Sequence, residues 1–228
     1  MSLSAFAYQQ CITPACGARY GIEEVRVVCD QCGDLLDVKY DWDRTHPPKN
    51  LAGFEQMWTK RHEPCRFSGV WRFHALLPFA DIEEIVTVGE GQTLLQQADS
   101  VAPYVGVNPG RLFLQYEGMN PSGSFKDNGM TAAFTHARAI GAKRAACAST
   151  GNTSASLAMY CAVTRLMKAV ICIGSGKIPF GKLSQAPDYG RLTFPIAGHL
   201  AEPMVRLREV APAIGTYLVR RMQPLRVQ

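Results

Sequence analysis

Two strand–turn–helix units stand in series near the middle of this sequence, and that repetition limits its folds more than any bulk property. In the first, Leu112-Phe113-Leu114-Gln115-Tyr116 alternates as a strand does. Asn120-Pro121-Ser122-Gly123 reads as a turn, and a helix follows from about Phe125 to Ile140 with Gly141 as its stop. Ser124 and Asp127 have the spacing of a capping box, although that motif prefers Glu or Gln. In the second unit, Arg144–Ala148 is a short buried strand, Ser149–Thr153 a polar loop and Ser154–Thr164 an Ala-rich helix. Lys168–Ile173 and Leu192–Ile196 read as further strands. Glu202–Val210 reads as a helix that tolerates Pro203 in its first turn and that Pro212 stops. Strands alternating with helices predict an α/β fold: a partial three-layer, mostly parallel sheet with helices on both faces.

Lys126 falls in the first turn of the first helix. The amino end of a helix carries partial positive charge and disfavours a cation by ~0.3–1 kcal/mol. A neutral amine is better tolerated there, and a lysine that attacks a carbonyl has to be neutral. The plainer reading is a surface lysine with its head in water. Exposed amides and hydroxyls of Ser149-Thr150-Gly151-Asn152-Thr153 suit a carboxylate or phosphate, while an ordinary N-cap would satisfy the same residues. In Val86–Thr93, Gly89 and Gly91 let the backbone approach a ligand, and Thr93 offers a hydroxyl. Gly176–Leu183 imitates a phosphate-binding P-loop, but Leu183 stands where Ser or Thr must hold Mg²⁺.

Four of the eight cysteines lie early: Cys11, Cys16, Cys29 and Cys32, spaced C-x4-C, twelve residues, C-x2-C. Gly17 and Gly33 follow the second cysteine of each pair, where a turned backbone can aim amides at sulfur. Two close thiolate pairs suit a closed, structural tetrahedral Zn²⁺ site. Short strands at 25–28 and 35–38 would complete a zinc ribbon, whose small core makes metal a large part of its folding energy. Two disulfides, or four unrelated thiols, are the alternatives, and a reducing compartment disfavours the disulfides. Arg19, Arg26 and Lys39 are outnumbered there by Glu23, Glu24, Asp30, Asp34 and Asp37, so the ribbon lacks the basic stripe of a nucleic-acid binder.

Bulk properties add boundaries. At 228 residues, 47% apolar and 19% charged, the chain is an ordinary globular sequence. No apolar run approaches the ~18 residues of a membrane span, and the start lacks a secretory pattern. A soluble, cytoplasmic protein is the expectation. The net charge of +5 suits anionic ligands or a plain solvated surface.

Asn120-Pro-Ser-Gly-Ser-Phe-Lys126-Asp127 resembles the cofactor-lysine motif of pyridoxal-phosphate enzymes of the tryptophan-synthase-β fold type. Ser149–Ser156 and Gly89-Glu90-Gly91-Gln92-Thr93 narrow the resemblance to threonine synthase. It covers roughly residues 70–190 and extends to the cysteine block. The resemblance implies that Lys126 condenses with pyridoxal 5'-phosphate and then shuttles protons at the substrate's carbons. It implies that Asn152 bonds the cofactor's ring oxygen and that Ser149, Thr150 and Thr153 grip the substrate carboxylate. Thr93 and Lys182, with Lys177, would lie near the substrate phosphate. O-phosphohomoserine would lose phosphate and gain water, giving threonine.

The sequence departs from that pattern at Leu94 for proline, at Asn128 for arginine, and at Pro187, where the family helix is unbroken. The family's glycine-rich cofactor-phosphate loop, and its Ser/Thr at the pyridine nitrogen, are not found here. The expectation is a chain truncated before that loop, with an exposed apolar sheet edge. A complementary carboxy-terminal fragment or a homodimer would be its partner. Three units are expected: a zinc ribbon at 1–41, a connector with helices at 42–85, and the amino-terminal part of the catalytic fold at 86–228. Cysteate synthase-like or amino-acid dehydratase chemistry, an inactive remnant and a zinc-ribbon interaction module are the alternatives.

Overall fold

The computed structural model describes residues 3, 5–26, 28–174, 189–190, 192–196, 201–211 and 213–219. Its centre is a four-stranded, wholly parallel sheet in the order β8-β7-β6-β9. The strands are β6 (Arg144–Ala148), β7 (Lys168–Gly174), β8 (Leu192–Ile196) and β9 (Tyr217–Leu218). The sequence predicts the bounds of β6 and β8 as observed. It gives no sign of β9, a two-residue strand inserted beside β6 from far along the chain.

Side chains of the sheet alternate between two cores. Ala145, Cys147, Ala169 and Ile171 pack with Met130, Phe134, Leu157 and Tyr160 from α3 (Lys126–Ala139) and α4 (Asn152–Thr164). Ala146, Cys172 and Leu218 face the other way, against Leu207 of α5 (Ala201–Val210). Helices therefore cover both faces, as the strand–helix alternation predicts. Helix α5 takes Pro203 as its third residue, and it ends at Val210. α3 is nearly all buried because Gly129, Ala132, Ala133 and Ala137 let neighbours approach closely. It ends at Ala139, and Gly141 just beyond the Ile140 cap adopts φ +75° and turns the chain away.

The cysteine-rich start forms an antiparallel sheet, β2-β1-β3, from β1 (Ala7–Cys11), β2 (Arg19–Gly21) and β3 (Leu36–Tyr40). The strand expected at 25–28 is not there among the described residues. Arg26 is held instead between Glu24 and Asp30 and lies 3.9 Å from the centre of the Tyr20 ring. The connector holds α1 (Leu51–Trp58), capped by Asn50, and the short α2 (Pro64–Phe67). Buried Trp71 and Phe79 pack with Ala7, Ile22 and Ala132, joining the first sheet to α3. β4 (Leu94–Gln97) and β5 (Phe113–Tyr116) form a separate antiparallel hairpin with every residue exposed. No helix among the described residues is long and apolar enough to cross a membrane.

Candidate active site and cysteine cluster

α3 leads into β6 and α4 leads out of it, so both helices run against the strand. Their amino ends therefore meet at the carboxyl edge of the sheet, where open parallel sheets bind ligands. Lys126 is the first residue of α3, half-buried, with Nζ 3.7 Å from the centre of the Phe125 ring. Asn152 is the first residue of α4, and Ser149 to Thr153 are half-buried around it. Ser149 N–H donates to the Cys172 carbonyl of β7 (3.2 Å), and Gly151 N–H to Ser149 Oγ (3.2 Å), which fixes the loop to the strand ends.

Asp127 joins the two helix starts. Its carboxylate is fully buried and accepts from Ser122 N–H (2.7 Å), Ser122 Oγ (2.6 Å) and, across on α4, Ser156 Oγ (2.5 Å). The capping box anticipated with Ser124 is not made. Phe125 is the N-cap and makes no side-chain cap bond, because the carboxylate turns back to the 120–123 turn instead. That turn is closed by Gly123 N–H to Asn120 O (2.7 Å). Burial pushes the Asp127 carboxyl above its usual range, and the serine donors offset part of the rise.

Glu90 was not singled out by sequence reasoning, yet it is the second buried carboxylate beneath the site. It accepts from Ser68 Oγ (2.5 Å), Thr87 Oγ1 (2.9 Å), Val88 N–H (3.0 Å) and Tyr160 O–H (2.8 Å). Tyr160 O–H also lies 3.2 Å from the Asp127 backbone carbonyl, so one phenol ties the Glu90 carboxylate to the first turn of α3. Burial, then the charge of Glu90, lifts the Tyr160 hydroxyl well above its usual range. A glutamate between two glycines ordinarily reads as solvent-facing, and its partners lie in distant segments. The glycines themselves are the only local signal.

Gly91 allows a close approach of two backbone segments. At φ +81°, it packs so closely on Gly69 that a Cβ on Gly69 would lie 2.2 Å from the Gly91 carbonyl oxygen. Gly69 N–H donates to Glu90 O (2.8 Å), and Gly91 N–H to Asn120 Oδ1 (2.8 Å). The 86–93 loop is thus bolted to both the connector and the lysine turn. Thr93 Oγ1 accepts from Gln115 Nε2 (2.9 Å) of the hairpin. Lys177, Lys182 and Pro187 lie outside the described residues. A cleft of about 790 Å³ is lined by Phe125 and Asn128 with Arg72, Gln115 and Glu117, and neither Lys126 nor the 149–153 loop is part of its wall. Asn128 Oδ1 and Arg72 Nε are buried there without a partner among the described residues.

The four early cysteines converge. Their sulfurs all lie within 4.8 Å of one another, with Cys11–Cys32 at 3.4 Å and Cys16–Cys29 at 3.6 Å. A tetrahedral ion with Zn–S of ~2.3 Å separates its sulfurs by ~3.8 Å, so the spacing suits one metal. Gly17 (φ +58°) and Gly33 (φ +77°) turn the chain behind each pair, as their positions predict. The Tyr20 hydroxyl, 3.2 Å from Cys29, is the chief reason that thiol falls to about 6.

A family described as pyridoxal-phosphate dependent enzyme matches residues 86–227, more than half of the chain. The chain belongs to that family. Among curated relatives, a threonine synthase of Methanocaldococcus jannaschii is 35% identical over 220 residues, 96% of this chain and 51% of the relative. A threonine synthase of Methanosarcina acetivorans is 37% identical over 213 residues, 93% of this chain and 49% of the relative. The chain thus spans about half the length of these relatives. The processed form of threonine deaminase isoform 2 from Solanum lycopersicum superposes with a TM-score of 0.50 at 17% identity, covering 79% of this chain and 44% of that one. That likeness bears on the fold alone.

Proposed function

We propose that this chain carries the cofactor lysine of a threonine synthase-type lyase, with O-phosphohomoserine as substrate and threonine and phosphate as products. One observation carries the reading: Lys126 opens α3 at the carboxyl edge of the sheet, and Asp127–Ser156 ties that turn to the start of α4. The identities of 35% and 37% to threonine synthases agree with it.

Pyridoxal phosphate, when bound, supplies an electron sink for charge at the substrate's carbons. Lys126 Nζ would hold it covalently and, once freed, take and return protons at those carbons. Asn152 would bond its ring oxygen. The residues present fit one side of such a group: a half-buried amine and a hydroxyl-rich helix start share one edge of the sheet. Ser149, Thr150 and Thr153 would orient the substrate carboxylate, and Thr93 and Lys182 its phosphate end. The buried acids Glu90 and Asp127 act as positioning groups, because their bonds hold the turns and do not reach outward.

We also read the four cysteines as ligands of a structural zinc, and the chain as three units at 1–41, 42–85 and 86–228. The exposed hairpin supports a covering partner, which we take to be the remaining half of the enzyme. A homodimer is the competing occupant.

The test is covalent capture. Incubation with pyridoxal phosphate and borohydride should add one cofactor mass to the chain, and Lys126→Ala should abolish the adduct. An adduct that survives in Lys126→Ala, or none in the intact chain, ends the proposal. Phosphate release from O-phosphohomoserine, assayed with and without the carboxy-terminal half of a relative, then tests the substrate. Metal analysis of the chain against Cys29→Ser checks the zinc independently.

A further inference from the structure

A second cavity, of about 490 Å³, lies at the opposite, amino edge of the parallel sheet. It opens where α3 gives way to β6, where β9 begins, and beside the last turns of α5. Nothing in the proposed reaction uses it, and its chemistry has a definite sign. Lys143, Arg144 and Arg208 line it and, among the described residues, no acidic side chain does. The nearest acid on α5, Glu209, is turned to Arg206 at 3.5 Å. Its apolar wall is furnished by groups such as Val25, 53% exposed, and Ile214, 43% exposed.

Thr216 is the second observation. It is only 7% exposed, and its Oγ1 is buried with no partner among the described residues. The Thr216 N–H already donates to Ala211 O (2.9 Å), so it does not compete for the group that would meet the hydroxyl. A buried hydroxyl without a partner is destabilising, and natural folds seldom keep one unless water or a ligand meets it. The register of β6 and β9 pairs Ala145 with Tyr217, which sets Arg144 beside Thr216 across the two strands. Arg144 Nη1 donates to Ile214 O (3.0 Å), which fixes the guanidinium at the cavity while other N–H groups stay available.

We propose that this cavity binds a small monocarboxylate with an apolar body. The carboxylate takes the place beside Arg144, with Lys143 and Arg208 supplying further positive charge, and the Thr216 hydroxyl, buried in the unliganded chain, turns out to meet it. The apolar body lies against Val25 and Ile214. The volume falls within the ~300–1,000 Å³ usual for small-molecule sites. This site does not depend on the threonine synthase reading.

The probes are 3-phenylpropionate and its neutral amide, titrated calorimetrically into the full chain at low salt. The acid should bind at one site, and the amide roughly tenfold or more weakly, since charge-assisted bonds are lost. Lys143→Gln with Arg208→Gln should weaken the acid and flatten its salt dependence. Thr216→Val should weaken it several-fold while leaving the unliganded chain as stable or more so. Equal affinity for acid and amide, or unchanged binding in both variants, overturns the proposal. So does acid binding that is lost in Ser149→Ala but kept in Thr216→Val, because the ligand would then occupy the other edge.

Discussion

The β4–β5 hairpin and the β6–β7 pair are built from similar short apolar strands, and they meet opposite fates. Ala145, Cys147, Ala169 and Ile171 are buried on one face of the sheet, and Ala146 and Cys172 on the other. In the hairpin neither face is covered: Leu95 and Tyr116 are each 63% exposed, and Phe113 and Leu114 each 50%. Backbone pairing closed both structures, yet only the sheet has helices to cover it. Pairing is local and needs only a neighbouring strand, whereas burial needs a covering layer. A two-stranded ribbon is marginal by itself, and clustered exposed apolar side chains mark an interaction surface. The hairpin is therefore the part of the described chain whose apolar side chains the fold leaves uncovered.

The sharpest way to break this contrast is to make the same truncation in both regions. Phe134→Ala, in the fully buried α3 core, should cost about 3–5 kcal/mol in urea unfolding. Phe113→Ala should stay within about 0.5 kcal/mol. If the two cost the same in the chain alone, the hairpin is already covered in solution. Sedimentation would then show a dimer, and Leu95→Lys should dissolve it.

A phenol pair gives the next effect. Tyr160→Phe removes the donor shared by Glu90 and the Asp127 carbonyl, and leaves a buried carboxylate one bond short. Hydrogen bonds to charged groups are worth about 1.5–3 kcal/mol, so a loss of that order is expected on denaturant titration. Tyr116→Phe, whose hydroxyl lies on the exposed hairpin, should be silent. A silent Tyr160→Phe would show that water replaces the phenol and that the acid network is wetter than its geometry implies.

These pairs also show what could be read from the sequence. α3, α4, β6 and β8 were legible because their signals are local: period, polar loop, glycine stop. The cysteine cluster was legible because thiol spacing carries its own chemistry. β4 was not, since Leu94 to Gln97 has no alternation that a single face could bury. β9 was not, since its pairing with β6 is set by a chain returning from a distance. The part of the site given by resemblance, Lys126 and Asn152, lies on two helix starts that the topology brings to one edge. The groups beneath it were hidden, because Glu90 and Asp127 are satisfied by Ser68, Ser156 and Tyr160, residues with no sequence relation to them.

The smallest effect is the pH dependence, and it too should arise in the covered region. His136 is buried between the Ile22 carbonyl (Nε2, 2.7 Å) and the Tyr217 hydroxyl (Nδ1, 3.0 Å). A carbonyl only accepts, so Nε2 carries the proton and Nδ1 accepts from Tyr217. Burial lowers the His136 pKa, and the Ile22 bond and nearby Glu23 offset only part of the fall. The unfolded chain then binds this proton more readily than the native one, so stability rises with pH across that interval. The His136 contribution is whole above its ordinary value of about 6.5 and is lost as pH falls through its lowered native value. Asp127 has the opposite sign: with its native pKa raised, its contribution is whole below the ordinary carboxylate value and lost as pH rises through the native one. Denaturation midpoints measured from pH 4 to 8 should fall on the acid side of neutrality, and His136→Gln should flatten that slope. Asp127→Asn should steepen it, because the opposing relief on acidification is removed. Substitution of hairpin residues should leave the profile unchanged, and a profile that shifts with Tyr116→Phe instead would place the titrating contact on the hairpin.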